Sequence, residues 1–266
     1  PIVNHMSGCV NIAYEGFADY IFDGENMGYT RNHWPDGHAM NVLTLDYMAA
    51  EWSHTPWGYN ERGSCFKYPY FMRGCPHQID RNKANVKGKG CTCDENDELW
   101  MLRQRGVKPE KYDEIIAWLV ARESECNAMM HLFDRTPAFP SHYLKYKGDH
   151  AKWKRAVETF GFYEDDVEFR GFWKTAQTVS NQDEKLKASV YLRKDPGKAL
   201  VAISNLRDDA VEREMVLDPA TLGLEGALTI TNAETGDAIQ TTGAGDGKTV
   251  LSIRIPGRDY VLVLVE

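Results

Sequence analysis

Two acidic residues stand close together at the end of a short apolar stretch. Asp23 and Glu25 follow residues 18–22 and are separated only by Gly24. If this stretch is a strand, its period of two turns both carboxyl groups to the same face. Two acids held close together acquire different pKa values, so that one can stay protonated while the other is charged. Such a pair can protonate a leaving oxygen and stabilise or attack an anomeric carbon, which makes Asp23 and Glu25 candidate catalytic residues.

Two other interpretations of the same residues remain open. An Asp-Gly-Glu sequence also occurs in solvated turns, where it has no chemical role. The oxygen atoms of Asp23, Glu25 and Asn26 would in addition suit a calcium ion. Because carboxylate chemistry requires neither a metal nor a cofactor, none is predicted for this site.

Polar and aromatic side chains surround the two acids in the sequence. His5 follows the apolar pair Ile2-Val3 and is predicted to end the preceding strand, where it could contact a sugar hydroxyl or orient a carboxylate. Aromatic rings offer flat apolar surfaces for the C–H faces of sugars. The candidate substrate-binding residues are His5, Asn26, Tyr29, Arg31, His33 and Trp34. A structural histidine and an ordinary covering loop are the alternatives.

The elements that must position these residues differ between the two parts of the chain. The first 165 or so residues are predicted to form helices joined by long aromatic-rich loops. One helix is predicted from residue 40 to 52. Another begins near Pro109, and Pro137 and Pro140 are predicted to stop it. Barrel enzymes place catalytic groups at the carboxyl ends of strands, which suits Asp23.

The last hundred residues have the period of strands. Leu186, Ala188, Val190 and Leu192 alternate with Lys185, Lys187 and Ser189. A turn at residues 195–198 leads into a partner strand. The predicted strands cover residues 186–192, 199–204, 211–217, 227–232, 250–255 and 260–265. Short strands separated by turn signals favour an antiparallel β-sandwich.

The bulk properties exclude several partners. The chain has 266 residues and a net charge of −8, so neither a nucleic acid nor an anionic membrane surface is an expected partner. No apolar run is long enough to cross a bilayer. The sequence begins at Pro1 without an initiator Met, from which we expect a processed or truncated start.

Six cysteines precede the predicted β-domain, at positions 9, 65, 75, 91, 93 and 126. Cys65, Cys75, Cys91 and Cys93 crowd a loop-like segment together with His77. Their spacing does not match that of a typical structural zinc site. One or two disulfides would indicate an exported protein, secreted or periplasmic, and free buried thiols are the third alternative. Metal analysis combined with thiol titration separates the three.

Several short motifs resemble a known family. The runs at residues 5–7, 17–20 and 22–26 are similar to a stretch in bacterial proteins related to glycoside hydrolase family 123, and Asp46 and Trp57-Gly58 fit its spacing. Residues 168–173, 190–191 and 200–205 resemble the linker and β-domain that close many barrel glycosidases. The resemblance implies the C-terminal part of a (β/α)8 barrel over residues 1–168 and an antiparallel β-sandwich over residues 169–266.

The resemblance also implies a function, with one departure. Characterised members of the family use an adjacent Asp–Glu pair and the substrate's own acetamido group on β-linked N-acetylgalactosamine. Asp94-Glu95 and Asp165-Asp166 lie in predicted loop and linker regions, so this chain shows no matching pair. If the family's chemistry applies, its acids lie upstream and Asp23 and Glu25 support the substrate. A glycoside hydrolase acting on an oligo- or polysaccharide is therefore expected. A non-catalytic carbohydrate-binding or structural module and a zinc-stabilised interaction domain are the alternatives.

Overall fold

The structure is a computed structural model that describes two parts of the chain in different detail. It describes residues 3–5, 20–23, 44–46, 65–66, 108–111, 113, 124–125, 127–134, 136–137 and 149–266. The C-terminal part is therefore continuous. In the N-terminal part the described residues are short segments.

Four short strands in the N-terminal part form a parallel sheet. They are β1 (Val3–His5), β2 (Tyr20–Asp23), β3 (Cys65–Phe66) and β4 (Thr136–Pro137), and they lie side by side in the order of the sequence. All three described pairings are parallel. Parallel neighbours require a crossover connection between them, which suits the long intervals separating these strands in the sequence. The strands predicted before His5 and before Asp23 are confirmed as β1 and β2.

A helical segment precedes β4. Residues 124–125 and 127–130 are helical, His131–Phe133 form a 3-10 turn, and Asp134 ends the segment in the left-handed conformation with φ 57°. We refer to these residues as the helical segment 124–134. The sequence predicted that Pro137 would terminate this helix, which is wrong. The left-handed residue Asp134 ends the helical conformation three positions earlier, and Pro137 then belongs to β4.

The C-terminal part contains two antiparallel sheets. Its strands are β5 (Val167–Arg170), β6 (Val179–Ser180), β7 (Leu186–Arg193), β8 (Lys198–Asn205), β9 (Val211–Leu217), β10 (Ile230–Asn232), β11 (Thr241–Gly245), β12 (Lys248–Ile255) and β13 (Asp259–Val265). Within the described residues, one sheet has the order β10-β13-β8-β7-β5 and the other the order β11-β12-β9-β6. The predicted β-sandwich is confirmed in this form.

The main hydrophobic core lies between the two sheets. Side chains at every second position of β7 and β8 point into it, among them Val190, Val201 and Ile203, none of which is exposed to solvent. Met215 of β9 and Leu251 of β12 face them from the other sheet. Apolar burial of this kind contributes about 25 cal/mol per Å² and is the main force holding the two layers together.

The five-stranded sheet is also covered on its second face, which we call the outer face. Helix α1 (Asp149–Phe160) packs there through Ala156, Val157 and Phe160, against Leu200 and Leu262 of the sheet. Since both faces are buried, residues 199–205 of β8 are buried without interruption. This differs from the alternating burial of a strand with one solvent-exposed face.

Three strands were not predicted from the sequence. The short β5 does alternate, as Val-Glu-Phe-Arg, whereas β6 and β11 show no apolar alternation. β5 carries the ion pair between Arg170 and Glu168, at 2.7 Å, and was assigned to a linker. β6 has only two residues. β11 reads Thr-Thr-Gly-Ala-Gly and is exposed throughout, so its glycines were interpreted as turn residues.

Candidate functional site

The first two strands of the parallel sheet end in the residues that the sequence predicted for the site. His5 is the last residue of β1 and Asp23 is the last residue of β2. His5 pairs with Phe22, so Asp23 lies one position further along the neighbouring strand. With a spacing of about 4.8 Å between strands, the two backbones are close neighbours. Both lie at the edge of the sheet where the parallel strands have their C-terminal ends, which we call the carboxyl edge.

The strand register places residues of β3 and β4 at the same edge of the sheet. Asp23 pairs with Phe66 of β3, and Phe66 pairs with Pro137 of β4. These three residues form one row across the sheet, and the row beside it contains His5 and Thr136. β4 and β2 therefore contribute residues to the same edge of the sheet.

The remaining candidate residues lie outside the described residues: Glu25, Asn26, Tyr29, Arg31, His33 and Trp34. Their catalytic and binding roles stay predictions. Of the cysteine cluster, the structure describes Cys65, which lies in β3 and not in the predicted loop-like segment. Among the described residues, no three His, Cys, Asp or Glu side chains are grouped closely enough to hold a metal ion.

The sandwich carries an open groove of about 530 Å³ beside β6 and β9. Its lining is polar: Asn181, Gln182, Asp183, Glu212, Arg213 and Glu214. No aromatic ring lines the groove, so it offers no flat apolar surface for a sugar.

The Asp183 carboxylate in this groove is already bound by its own chain. Its Oδ2 accepts a hydrogen bond from Arg207 at 2.7 Å, and its Oδ1 accepts the backbone N–H groups of Lys185 and Leu186. Partial burial raises the pKa of Asp183, but these hydrogen bonds outweigh it and the pKa lies below its ordinary value. Asp183 therefore holds the turn before β7.

A contact surface joins the helical segment 124–134 to the outer face of the sandwich. Two fully buried serines make the polar contacts there. The Ser204 hydroxyl donates to the carbonyl oxygen of Ala128 at 2.6 Å, and the Ser189 hydroxyl donates to that of Leu132 at 3.0 Å. Ser189 also accepts the backbone N–H of Phe172 at 2.9 Å. The sandwich thus binds the backbone of the segment directly.

Aromatic rings surround the Ser189 contact. Phe133 packs edge-on against Phe172, with 5.6 Å between ring centroids, and lies 5.9 Å from the ring of Trp173. The Trp173 ring lies over Gly171, where a Cβ atom would clash with it. Any side chain at residue 171 would therefore displace the ring that contacts Phe133.

A buried ion pair lies at the other end of the contact surface. Glu125 is fully buried, and its carboxylate accepts a hydrogen bond from Arg258 at 3.2 Å. Arg258 lies in the turn between β12 and β13 with φ 55° and also donates to Asp208 at 2.6 Å. A carboxylate in this position requires charged or polar partners, because its transfer from water is strongly unfavourable.

His131 lies between these two ends. Its ring packs edge-on against Tyr260 of β13, with 4.7 Å between centroids, and it is fully buried. Burial lowers the pKa of His131 from 6.5 to about 3, because the protonated ring would lose its hydration. His131 is therefore neutral at physiological pH.

This contact surface was not predicted from the sequence. Ser189 was placed on the polar side of the alternation in β7, together with two lysines, yet it is fully buried. Ser204 was noted only as the end of a strand. A small hydroxyl side chain directly beside apolar residues, Ala188 and Val190 at Ser189 and Ile203 at Ser204, is the one available signal, and it does not reveal the hydrogen-bond partner.

The comparison with known families concerns the C-terminal part of the chain. Residues 150–265 match the family model described as "Glycoside hydrolase 123, C-terminal domain". This part of the chain is related to glycoside hydrolase family 123. The predicted resemblance is thereby confirmed for the family 123 C-terminal domain, and the match gives the chain the context of a glycosidase family. No curated protein sequence matches the chain.

Three solved structures are similar to part or most of the chain. A noncanonic maltogenic α-amylase, AmyB, of Thermotoga neapolitana is 12% identical with a TM-score of 0.42, and the match covers 98% of this chain and 54% of that one. An Anoxybacillus α-amylase is 10% identical with a TM-score of 0.34, covering 63% of this chain and 35% of that one. A rhamnosidase of Novosphingobium sp. PP1Y is 18% identical with a TM-score of 0.24, covering 52% of this chain and 15% of that one. The chain spans about half or less of the length of each. At these TM-scores the similarity carries no argument about function.

Replacing Arg258 tests the buried ion pair. Arg258→Met keeps a long side chain but removes the cation beside the buried Glu125, so we expect a loss of about 3 kcal/mol in the free energy of unfolding. Arg254→Met is the matched control, because the Arg254–Glu212 pair is exposed on both sides and should change the value by less than about 1 kcal/mol. Urea denaturation measures both, and equal effects would contradict a special role for Glu125.

The buried His131 predicts a pH dependence of stability. Below pH 6.5 the unfolded chain binds a proton at this residue, whereas the folded protein does so only near pH 3. The free energy of unfolding therefore falls as the pH is lowered, by up to about 1.4 kcal/mol per pH unit from this group.

His131→Gln removes this contribution, so its stability should fall less steeply than that of the wild type between pH 6.5 and 5. The carboxylates with lowered pKa, Asp183 and Glu168, are present in both proteins, so their contribution to the pH dependence cancels in the comparison. Parallel stability curves for the two proteins would show that His131 is not buried as described.

Proposed function

We propose that this chain is the C-terminal part of a glycoside hydrolase that acts on an oligo- or polysaccharide. In this proposal the residues up to about 168 are the last part of a (β/α)8 barrel, and those after it form the accessory sandwich. The observation that carries the proposal is the match of residues 150–265 to the C-terminal domain of a glycoside hydrolase family. A carbohydrate is accordingly the proposed substrate.

The arrangement of β1 to β4 supports a barrel. All described pairings are parallel, and neighbouring strands follow one another in sequence, as they do in a (β/α)8 barrel. Active sites in barrels lie at the carboxyl ends of the strands. His5 and Asp23 occupy such ends on adjacent strands, which is the placement that the proposed site requires.

The proposed chemistry uses carboxyl groups and no cofactor. Asp23 and Glu25 act on the glycosidic bond or on the groups beside it, one as the acid and the other as the charged partner. His5 and Asn26 contact sugar hydroxyls, and the residues of the following loop contribute further contacts. Tyr29, Arg31, His33 and Trp34 are the loop residues proposed for this role.

Glu25→Gln in the full-length protein tests this function. The substitution keeps the size of the side chain but removes its ability to ionise, so we expect kcat to fall by about 10²–10⁴-fold. Glu212→Gln is the matched control, because Glu212 is exposed on the sandwich, and it should leave kcat unchanged. Hydrolysis of a panel of aryl glycosides and oligosaccharides, with thermal unfolding measured in parallel, separates lost chemistry from lost folding.

Normal turnover by a folded Glu25→Gln variant would contradict the catalytic role of this residue. If Asp23→Asn also turned over normally, the reacting acids would lie elsewhere in the protein. If the wild-type protein bound oligosaccharides and hydrolysed none of them, the alternative of a carbohydrate-binding module would hold instead.

A further inference from the structure

The helical segment 124–134 connects the sandwich to the parallel sheet over a very short distance. Asp134, the last residue of the segment, is two positions before Thr136 of β4. Two residues of chain span at most about 7 Å. The place at which the sandwich holds the segment therefore fixes where β4 can begin.

The position of β4 in turn affects the proposed site, because β4 and the strand that carries Asp23 belong to the same sheet. Pro137 of β4 lies in one row with Phe66 and Asp23, at two strand spacings, or about 10 Å, from Asp23. Strands joined by hydrogen bonds move together, because separating them breaks the ladder. A change at the sandwich contact thus acts on the carboxyl edge that carries Asp23.

We propose that Ser189 and Ser204 are positioning residues for this edge. Both hydroxyls belong to the five-stranded sheet, and both donate hydrogen bonds to backbone carbonyl oxygens of the segment. Because hydrogen bonds are directional, a bond to the backbone prevents the segment from sliding along its helix axis. Apolar packing alone does not prevent this movement, since it is not directional. The spacing of the acceptors, Ala128 and Leu132, is one helical turn, so the two bonds together also fix rotation.

The burial of these serines supports a specific role for them. Both are fully excluded from solvent; Ser189 lies between Ala188 and Val190, and Ser204 follows Ile203. A buried hydroxyl without a partner is unfavourable, so each serine stabilises the fold only when its acceptor is in place. The contact therefore favours one alignment of the segment on the sandwich over shifted ones.

Hydrogen exchange of the full-length protein tests the proposal without any substrate. In Ser204→Ala we expect amides of residues 127–134 to exchange about fivefold faster than in the wild type, while β12 in the opposite sheet is unchanged. Ser189→Ala should produce a similar effect, and it provides a second variant if the first does not fold. Ser252→Ala is the matched control, since Ser252 is exposed on β12 and should alter neither region.

Unchanged exchange at residues 127–134 in both folded variants would overturn the proposal. Equal acceleration in β12 would also overturn it, because the serines would then stabilise the sandwich as a whole and not the alignment of the segment. This readout is independent of the proposed function, so a protein without hydrolytic activity still gives a result.

A second readout rests on the proposed function. If the full-length protein hydrolyses a glycoside, Ser204→Ala should lower kcat severalfold with little change in KM, because the binding residues of the loop remain while the edge carrying Asp23 shifts. A change in KM alone would contradict positioning of the reacting groups.

Discussion

Two buried serine hydroxyl groups donate hydrogen bonds to the backbone of the helical segment 124–134. The placement of this segment on the sandwich depends on these two bonds. Ser189 and Ser204 bind the carbonyl oxygens of Leu132 and Ala128, and no water competes for these bonds because both serines are fully buried. The five-stranded sheet is therefore in contact with other elements on both of its faces. Its inner face builds the sandwich core, and its outer face holds α1 and the helical segment 124–134.

The electrostatics of the contact follow from the same burial. Away from water, the Glu125 carboxylate is held by the Arg258 guanidinium, whereas the His131 ring is kept neutral against Tyr260. A charged pair and a neutral histidine within one buried surface define the alignment more narrowly than apolar side chains do, because a shift would leave a polar group unpaired. The contact is consequently specific as well as stable.

The sequence predicts much of the sandwich, because its strands carry apolar residues at alternate positions and end at turn residues. It also predicts that His5 and Asp23 end strands, since each follows a short apolar run. It does not predict β11, whose residues are small and exposed. Nor does it predict the burial of Ser189, which falls on the same side of the alternation as Lys185 and Lys187. Long-range partners are the reason: a serine in β7 and a carbonyl group at residue 132 are joined only by the fold.

If Ser189 and Ser204 are positioning residues, the parallel sheet depends on the sandwich for its position. Hydrogen exchange at increasing denaturant concentration, compared between β2 and β8 in the full-length protein, tests this dependence most directly. We expect the amides of β2 to lose protection at the same denaturant concentration as those of β8, or at a lower one. Protection that persists in β2 after β8 has unfolded would show that the parallel sheet stands without the sandwich, and would contradict the account.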